Sequence, residues 1–341
     1  MRARKSARDR RAYPRTPQEL RTTGCYWPTR IVGTAFHLQL FEWLGARAKT
    51  AGAVGSHFGG SSQDWEIFLD ALAALRLLRR RGNRYANSRL VARTLRAQTA
   101  SFLLADFDAW NLWGRLPDIL TTGNRPKVAQ PFFTDRVKAE RLLRALDDDA
   151  RKIAPYVIRR LPLSRAKRVL DVGGGLGTLA LACCRRFPGL RATILEHPNV
   201  APLTRSNVEK SRMRHRVEVI PLDVIKDSWP RGGFDAVLAS NILHGQGARE
   251  NRALIASAYD CLNKGGHLIV RDVLAGADAT DPAWGALFSV ALLVQTPKGR
   301  CYSLSEVRGW LDQAGFSNLR GPFGSSPLFF DPDSLLIAQK N

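Results

Sequence analysis

The chain has 341 residues, of which 45% are hydrophobic and 9% aromatic, and its formal net charge at pH 7 is +22. This composition is typical of a globular protein, and the length predicts two domains rather than one. It argues against a membrane protein, because the longest apolar stretch, at 286–294, is far shorter than a membrane-spanning helix. No apolar segment follows the basic N-terminus, so we expect no secretory signal.

The cysteines point to a reducing compartment. They show no metal-binding spacing, and two of them are adjacent on a predicted helix, where pairing would be strained. We therefore predict reduced thiols in a cytoplasmic protein without a metal site. The cysteines are Cys25, Cys183, Cys184, Cys261 and Cys301.

The positive charge comes mainly from arginines that are spread over most of the chain, so it does not by itself indicate nucleic-acid binding. One dense basic cluster lies within residues 1–25, which we predict to be a disordered tail. An arm that binds nucleic acid or a membrane surface is the alternative for this segment. The cluster consists of Arg2, Arg4, Lys5, Arg8, Arg10, Arg11 and Arg15.

Residues 26–125 have the pattern of a winged-helix domain. Apolar residues at helical spacing predict a helix over 29–48, and a glycine-rich break follows over 52–60. Ser61 and Ser62 can cap the next helix. That helix carries an apolar stripe, and the following Gly-Asn turn lies between short extended arms over 79–85, so this region predicts a helix, a second helix and a hairpin.

The pattern changes after this domain. Helical spacing resumes near Leu90, and a linking helix within 126–162 can begin at a Thr134 cap. Strands then alternate with helices over 163–341, which predicts an α/β fold with a doubly wound, mostly parallel sheet. The predicted strands are 169–172, 192–195, 217–220, 236–239, 268–270, a strand near Leu319 and 335–338. The predicted helices are 178–186, 202–211, 247–263 (ended by Gly265 and Gly266), 283–294 and 304–314.

A glycine-rich turn follows the first strand of this sheet. Asp171 stands at the end of the strand, and Gly173, Gly175 and Gly177 allow a tight turn and close approach of a ligand. A dinucleotide-binding fingerprint would need glycine at position 178, where this chain has Thr178. The Asp171 carboxylate would also repel a pyrophosphate. The pattern suits a cationic ligand instead, so we predict S-adenosylmethionine as the cofactor and Asp171 as one of the residues that bind it.

Two further acids follow the second and third strands. A carboxylate at Glu196, about twenty residues after the turn, can accept hydrogen bonds from both ribose hydroxyls. Asp223 can accept one from the adenine amino group, with Val224 packed on the ring. The alternatives are a surface glutamate for the first acid and a turn aspartate for the second.

One histidine is placed to act as a base. His244 follows the fourth strand, beside the predicted cofactor site, and a neutral imidazole can take a proton near pH 7. We interpret the other histidines as surface or core residues because nothing in their position marks them. They are His37, His57, His197, His215 and His267.

Four segments carry a resemblance to a known family: 170–175, 195–198, 222–224 and 241–244. Over residues 29–340 the chain resembles the small-molecule O-methyltransferases, which include caffeic-acid, acetylserotonin and hydroxyneurosporene methyltransferases. The resemblance implies a Rossmann-like seven-stranded domain after an all-α winged-helix dimerisation domain, and hence a homodimer. By position it implies that Gly173 and Gly175 flank the methionyl part of S-adenosylmethionine and that Glu196 holds the ribose. It also implies that Asp223 and Val224 hold the adenine and that Ser240 is a further cofactor contact. His244 would be the general base.

The chain departs from the family around this histidine. Family members often have Asp-Trp after it, whereas His244 is followed by Gly-Gln-Gly at 245–247. In plant members two carboxylates hold the histidine in its working tautomer. The first maps near Arg271, whose neighbour Asp272 can substitute, and the second maps to 296–302, which contains no acid.

These features predict an O-methyltransferase that acts on a hydroxyl, preferably a phenol, of an apolar small molecule. Aromatic and apolar side chains can line the acceptor pocket or belong to the core; they are Phe107, Trp110, Trp113, Trp284, Phe288 and Leu292. Methylation at carbon or nitrogen, or cofactor binding with little turnover, is the alternative. A DNA-binding regulator, with basic residues in its wing at 79–84, is a third reading.

Overall fold

A computed structural model shows two compact units, Met1–Asp108 and Ala109–Asn341. The sequence pattern placed the end of the N-terminal domain later, at 125. The predicted basic tail, residues 1–25, lies outside the described part of the chain. The described residues are 26–96, 101–129, 135–275, 283–324 and 333–341.

The first unit begins with two helices, α1 (Trp27–His37) and α2 (Leu40–Leu44). The prediction of one helix over 29–48 was therefore wrong. The chain breaks at Gln39, whose φ of 56° is left-handed and cannot continue a right-handed helix. The break lets α2 turn its apolar residues into the same core as α1.

The glycine-rich stretch over 52–60 contains a helix, α3 (Ala51–Phe58), so the predicted break was also wrong. The Thr50 hydroxyl accepts a hydrogen bond from the Ala53 N–H (3.2 Å) and caps its first turn. Gly55 permits close packing, because a Cβ there would lie 3.0 Å from the Gly60 carbonyl oxygen. Packing and capping outweigh the low helix propensity of glycine.

The second half of the unit follows the prediction. Ser61 caps α4 (Ser62–Ala74) by accepting from the Asp64 N–H (3.0 Å). The predicted hairpin is confirmed, with strands β2 (Leu78–Arg81) and β3 (Arg84–Asn87). A short strand β1 (Lys49–Thr50) adds to it in the order β1-β3-β2, so the unit is not all-helical. The helices that follow are α5 (Arg89–Arg96) and α6 (Ser101–Trp113), the last of which continues into the second unit.

An arginine of the hairpin is engaged within this unit. Arg80 donates to Asp70 (2.5 Å) and Glu66 (2.8 Å), and the Tyr85 hydroxyl also donates to Asp70 (2.8 Å). The hydrogen bonds from Tyr85 and Arg80 hold the pKa of Asp70 below its ordinary value. Arg84 donates to the Ala48 carbonyl oxygen (3.2 Å). Two of the four wing cations are thus used to hold the hairpin on its own unit.

The second unit is built on a mostly parallel sheet with seven strands in the order β10-β11-β8-β7-β4-β5-β6, which confirms the predicted fold class. Strands β4 to β8 are parallel, and β11 and β10 complete the sheet antiparallel. A short strand, β9, pairs with β8 outside this order. The strands are β4 (Arg168–Val172), β5 (Arg191–Glu196), β6 (Val217–Pro221), β7 (Phe234–Ser240), β8 (Leu262–Ala275), β9 (Tyr302–Ser303), β10 (Phe316–Gly324) and β11 (Asp333–Lys340).

The helices of this unit lie close to their predicted positions, with two corrections. The linking helix α8 is capped by Asp135, which accepts from the N–H groups of Val137 and Lys138, and Thr134 lies outside the described residues. Helix α11 ends at Cys261 and passes directly into β8, so Gly265 lies inside a strand. No described helix is long and apolar enough to cross a membrane. The helices are α7 (Leu116–Thr122), α8 (Arg136–Ile158), α9 (Thr178–Arg186), α10 (Ala201–Glu209), α11 (Ala248–Cys261), α12 (Ala283–Gln295) and α13 (Leu304–Gln313).

The sheet is buried on both faces, because neighbouring residues of a strand point to opposite sides. In β4, Val169 packs in a core with α8 and α9, whereas Leu170 and Val172 pack in a second core with α11 and α13. Both faces of the central strands are therefore closed to solvent. Only the strand ends and the loops after them are left to form a site.

We expect Leu170→Ala to lower the free energy of unfolding by about 2–5 kcal/mol, because it leaves a cavity under a fully buried side chain. Leu287→Ala is the matched control, since Leu287 is 51% exposed, and it should change stability by no more than about 0.5 kcal/mol. Urea unfolding of both variants measures the difference. Equal effects would show that the central strand does not carry the core.

Candidate active site

The carboxyl ends of four parallel strands, β4, β5, β6 and β7, meet at one edge of the sheet. Each of the chemistry-bearing segments found in the sequence follows one of these strands. The topology therefore brings together the glycine turn, Glu196, the Asp223 turn and the loop of His244. Ligands of open α/β proteins bind at such an edge.

The glycine turn leads from β4 into α9. Gly173, Gly175 and Gly177 have φ values of +63°, +58° and +78°. Residues that carry a side chain rarely adopt such values. The Gly173 N–H donates to the Leu195 carbonyl oxygen (2.8 Å), so the turn is tied to the neighbouring strand. The backbone is thus the surface that a ligand would meet.

Asp171 lies beneath this turn. Its side chain is only 1% exposed, and a Cβ at Gly174 would lie 2.8 Å from its Oδ2. Burial raises the pKa of Asp171 to about 7, and a hydrogen bond from the Ala180 N–H opposes that shift. Oδ2 has no hydrogen-bond partner among the described residues. Asp171 therefore supports the turn and the start of α9 from below, rather than facing the open side.

Glu196 lies against the same turn at the end of β5. Its Oε2 accepts from the Gly175 N–H (2.7 Å), and its Oε1 accepts from the His197 N–H (2.7 Å). Burial raises the pKa of Glu196 to about 7, although these two bonds favour the charged form. Each oxygen of a carboxylate can accept a second hydrogen bond, so the group can still take a ligand's hydroxyls.

Asp223 forms a turn after β6. Its carboxylate accepts from the Ile225 N–H (3.1 Å) and pairs with Lys226 Nζ at 2.9 Å. Burial raises the pKa of Asp223, but the bonds from Lys226 and Ile225 outweigh it and hold that pKa below its ordinary value. Val224 is half-buried beside it, and its carbonyl oxygen accepts from the Trp229 indole N–H (3.0 Å).

His244 lies in a short 3₁₀ turn, Leu243–Gly245, that follows β7. Its Nδ1 is 2.5 Å from Asp272 Oδ1, and Asp272 Oδ2 accepts from the N–H groups of Leu243 (2.9 Å) and His244 (3.3 Å). Asp272 also accepts from the Val273 N–H (2.8 Å) and is 1% exposed. A carboxylate only accepts, so Nδ1 carries the proton of the neutral ring and Nε2 keeps its lone pair.

Three residues that the sequence did not single out hold elements of the site in place. Asn251, fully buried on α11, donates from Nδ2 to the Leu243 carbonyl oxygen (3.0 Å). Arg125 donates to the Gly299 carbonyl oxygen (3.0 Å), and a Cβ at Gly299 would lie 2.5 Å from the His244 carbonyl oxygen. Asp147 of α8 accepts a hydrogen bond from the Thr178 hydroxyl at the start of α9. Of the three, only Asp147 could have been noticed in the sequence, because it lies in an acidic run on an amphipathic helix.

The remaining predicted residues lie in different places. The Ser240 hydroxyl accepts from Arg271 Nη1 (3.3 Å) at the end of β7. Phe288 of α12 packs edge-on against His244 with ring centroids 5.0 Å apart. Phe107 belongs to the first unit, where its ring stacks on His37. No group of three or more metal-ligating side chains occurs in the described part of the chain.

Comparison with known proteins identifies the family. Residues 130–317 match the family model described as an O-methyltransferase domain. The chain is 31% identical to 3-hydroxy-5-methyl-1-naphthoate 3-O-methyltransferase of Streptomyces sahachiroi, over 88% of this chain and 89% of that protein. Human N-acetylserotonin methyltransferase, solved in complex with SAM, has the same fold, with a TM-score of 0.79, 22% identity and coverage of 97% of this chain and 99% of that one.

The relatives do not all methylate oxygen. An N,N-dimethyltransferase of Streptomyces rimosus is 26% identical over 87% of this chain and 89% of that protein. An L-tyrosine C(3)-methyltransferase of Streptomyces lavendulae is 31% identical over 48% of this chain and 44% of that protein. The resemblance expected from the sequence is confirmed: the chain belongs to the O-methyltransferase family and is an S-adenosylmethionine-dependent methyltransferase.

Proposed function

We propose that the protein methylates a hydroxyl group of a flat, apolar aromatic molecule, with His244 as the general base. The observation that carries this proposal is the pairing of His244 with the buried Asp272, at the sheet edge where the glycine turn and Glu196 also lie. A histidine with a protonated Nδ1 and an unprotonated Nε2 is suited to take a proton from an attacking hydroxyl.

The residues at this edge fit S-adenosylmethionine. The glycine turn offers backbone without side chains, as a closely approaching ligand requires, and Gly173 and Gly175 would flank its methionyl part. Glu196 would hold the ribose, while Asp223 and Val224 would hold the adenine and Ser240 would add a contact. When bound, the cofactor supplies an electrophilic methyl group on a sulfonium. The buried charge of Asp171 below the turn favours a cation above it.

The chain's own residues then have two tasks, to position the acceptor and to remove its proton. Alignment of the reacting groups can supply about 7–11 kcal/mol in favourable cases. The base adds about 10²–10⁴-fold in rate. Asp272 stabilises the imidazolium that forms when Nε2 takes the proton, and it keeps the ring from rotating.

Apolar side chains of α12 next to His244 favour an aromatic acceptor. Phe288 contacts the histidine ring, Leu292 is buried behind it, and Trp284 is 41% exposed. The Streptomyces sahachiroi relative is named for a hydroxynaphthoate, which is flat and aromatic. Trp110 and Trp113 are in the same unit as α12, and we keep them as candidate contacts.

We propose a homodimer with the winged-helix unit as its dimerisation domain and 126–162 as the link to the catalytic domain. Apolar side chains left exposed in that unit support this proposal. Trp27 of α1 is 66% exposed, and Ile67 of α4 is 65% exposed. Burial of such a surface in a second copy would remove it from water.

Methylation of nitrogen or carbon is the second candidate, because relatives with those activities share the fold. The choice depends on the acceptor atom that is held in line with the methyl group. A DNA-binding role has less support, since Arg80 and Arg84 of the hairpin are engaged within their own unit.

Product analysis tests the proposal. We expect methyl-labelled S-adenosylmethionine to label a hydroxylated naphthalene or anthracene on oxygen, as located by mass spectrometry and NMR. The same ring with its hydroxyl replaced by hydrogen should stay unlabelled. Label on ring carbon, or on an amino analogue alone, would contradict the oxygen assignment.

We expect His244→Ala to lower kcat by about 10²–10⁴-fold, because it removes the base. Asp272→Asn should also lower kcat, because an amide can donate to Nδ1 and so favour the other tautomer. Neither change touches the glycine turn or Glu196, so calorimetry should find the cofactor Kd within about twofold of wild type. Full turnover in either variant would refute the role of the pair.

Cofactor affinity should depend on pH through Glu196. Its pKa is about 7, so at lower pH the carboxyl is protonated and loses the charge that attracts the sulfonium. Below that pKa we expect the Kd to rise about tenfold per pH unit, and above about pH 8 it should be constant. Titration calorimetry measures this dependence.

The isosteric variant Glu196→Gln is the control. It should bind the cofactor more weakly at high pH and lose the part of the pH dependence that comes from Glu196. Any slope that is left belongs to Asp171, whose pKa is also about 7. A Kd for the native protein that does not change between about pH 6 and about pH 8 would contradict the account.

A further inference from the structure

A groove with a strongly basic rim lies on the face of the second unit that is formed by α8, α9 and the segment after α10. We call it the basic groove. It is separate from the loop of His244, which packs against α11 on the opposite face of the sheet. Six cationic side chains line it: Arg151, Arg159, Arg185, Arg186, Lys210 and Arg212.

Most of these cations lack an acidic partner. Arg151 pairs with Asp147 at 2.8 Å. For the other five, no carboxylate of the described residues lies within 4.0 Å. Like charges that line one groove repel one another, and salt reduces this repulsion without removing it. A partner of opposite charge would relieve the repulsion.

Part of the groove's lining is apolar, and we call this part the floor and the basic residues the rim. Pro155 is exposed, Ala182 and Met213 are half-buried, and all three line the groove together with the basic residues. The phosphate backbone of a nucleic acid would neutralise the charge of the rim but leave the apolar floor in contact with water. An amphipathic helix with an acidic face can do both, because its apolar stripe covers the floor while its carboxylates reach the rim.

We propose that the basic groove docks an acidic amphipathic helix of a protein partner. Charge complementarity at the rim would speed association and select against basic partners, and the floor would supply the buried apolar contact. The groove uses none of the residues assigned to methyl transfer. The proposal therefore goes beyond the catalytic function and does not depend on it.

Fluorescence anisotropy with the full chain tests the proposal. The probe is a labelled synthetic helix of about five turns, with leucine at helical spacing and glutamate elsewhere. A scrambled peptide of the same composition has the same charge without the apolar stripe. The groove variant is Arg185→Glu with Arg212→Glu, and the control is Arg252→Glu with Arg308→Glu, an equal charge change on the opposite face.

We expect the groove variant to weaken binding of the helical probe by about tenfold and the control variant by less than about twofold. The scrambled peptide should bind native protein about tenfold more weakly than the helix. Equal losses in both variants, or equal binding of both peptides, would show attraction to net charge alone and overturn the proposal. Tighter binding of a DNA duplex or of anionic lipid vesicles, abolished by the groove variant, would overturn it in favour of a phosphate-bearing partner.

Discussion

The site depends on one buried carboxylate. Asp272 is 1% exposed, and it can exist there as an anion because hydrogen-bond donors surround it, namely three backbone N–H groups and the His244 ring. Burial of a charge without such donors would be very costly. The same bonds hold the 3₁₀ turn and set the tautomer of His244, so one group fixes both the position and the ring proton of the proposed base.

The rest of the site follows from the parallel sheet. Its strands are covered on both faces by helices, so the polar and charged groups collect where the strands end. The carboxylates at this edge differ in setting. Asp171 supports the glycine turn from below, Glu196 lies against its rim, and Asp223 is paired with Lys226. Burial raises the pKa of the first two carboxylates to about 7, whereas the hydrogen bonds to Asp223 hold its pKa below the ordinary value.

The sequence predicted what depends on local pattern. The apolar strands that alternate with helices lie where their residues predict them. The same holds for the helix over 178–186 and for the turn of the hairpin. It failed where packing outweighs local preference, as for the glycine-rich α3 and for Gly265 inside β8. It also missed Asn251, whose side chain donates to the Leu243 carbonyl oxygen in another element. A contact between separate elements produces no recognisable pattern of residues along the sequence. Asp272 was a candidate partner of His244, but only the fold brings their side chains together.

The most direct test of this account is the tautomer of His244, measured by ¹⁵N NMR of the imidazole in the cofactor-free protein at about pH 8, above the ordinary histidine pKa. We expect the proton on Nδ1 and an unprotonated Nε2 in the native chain, with the preference lost in Asp272→Asn. A proton on Nε2 in the native protein, or the same spectrum in both chains, would contradict the claim that Asp272 sets the base.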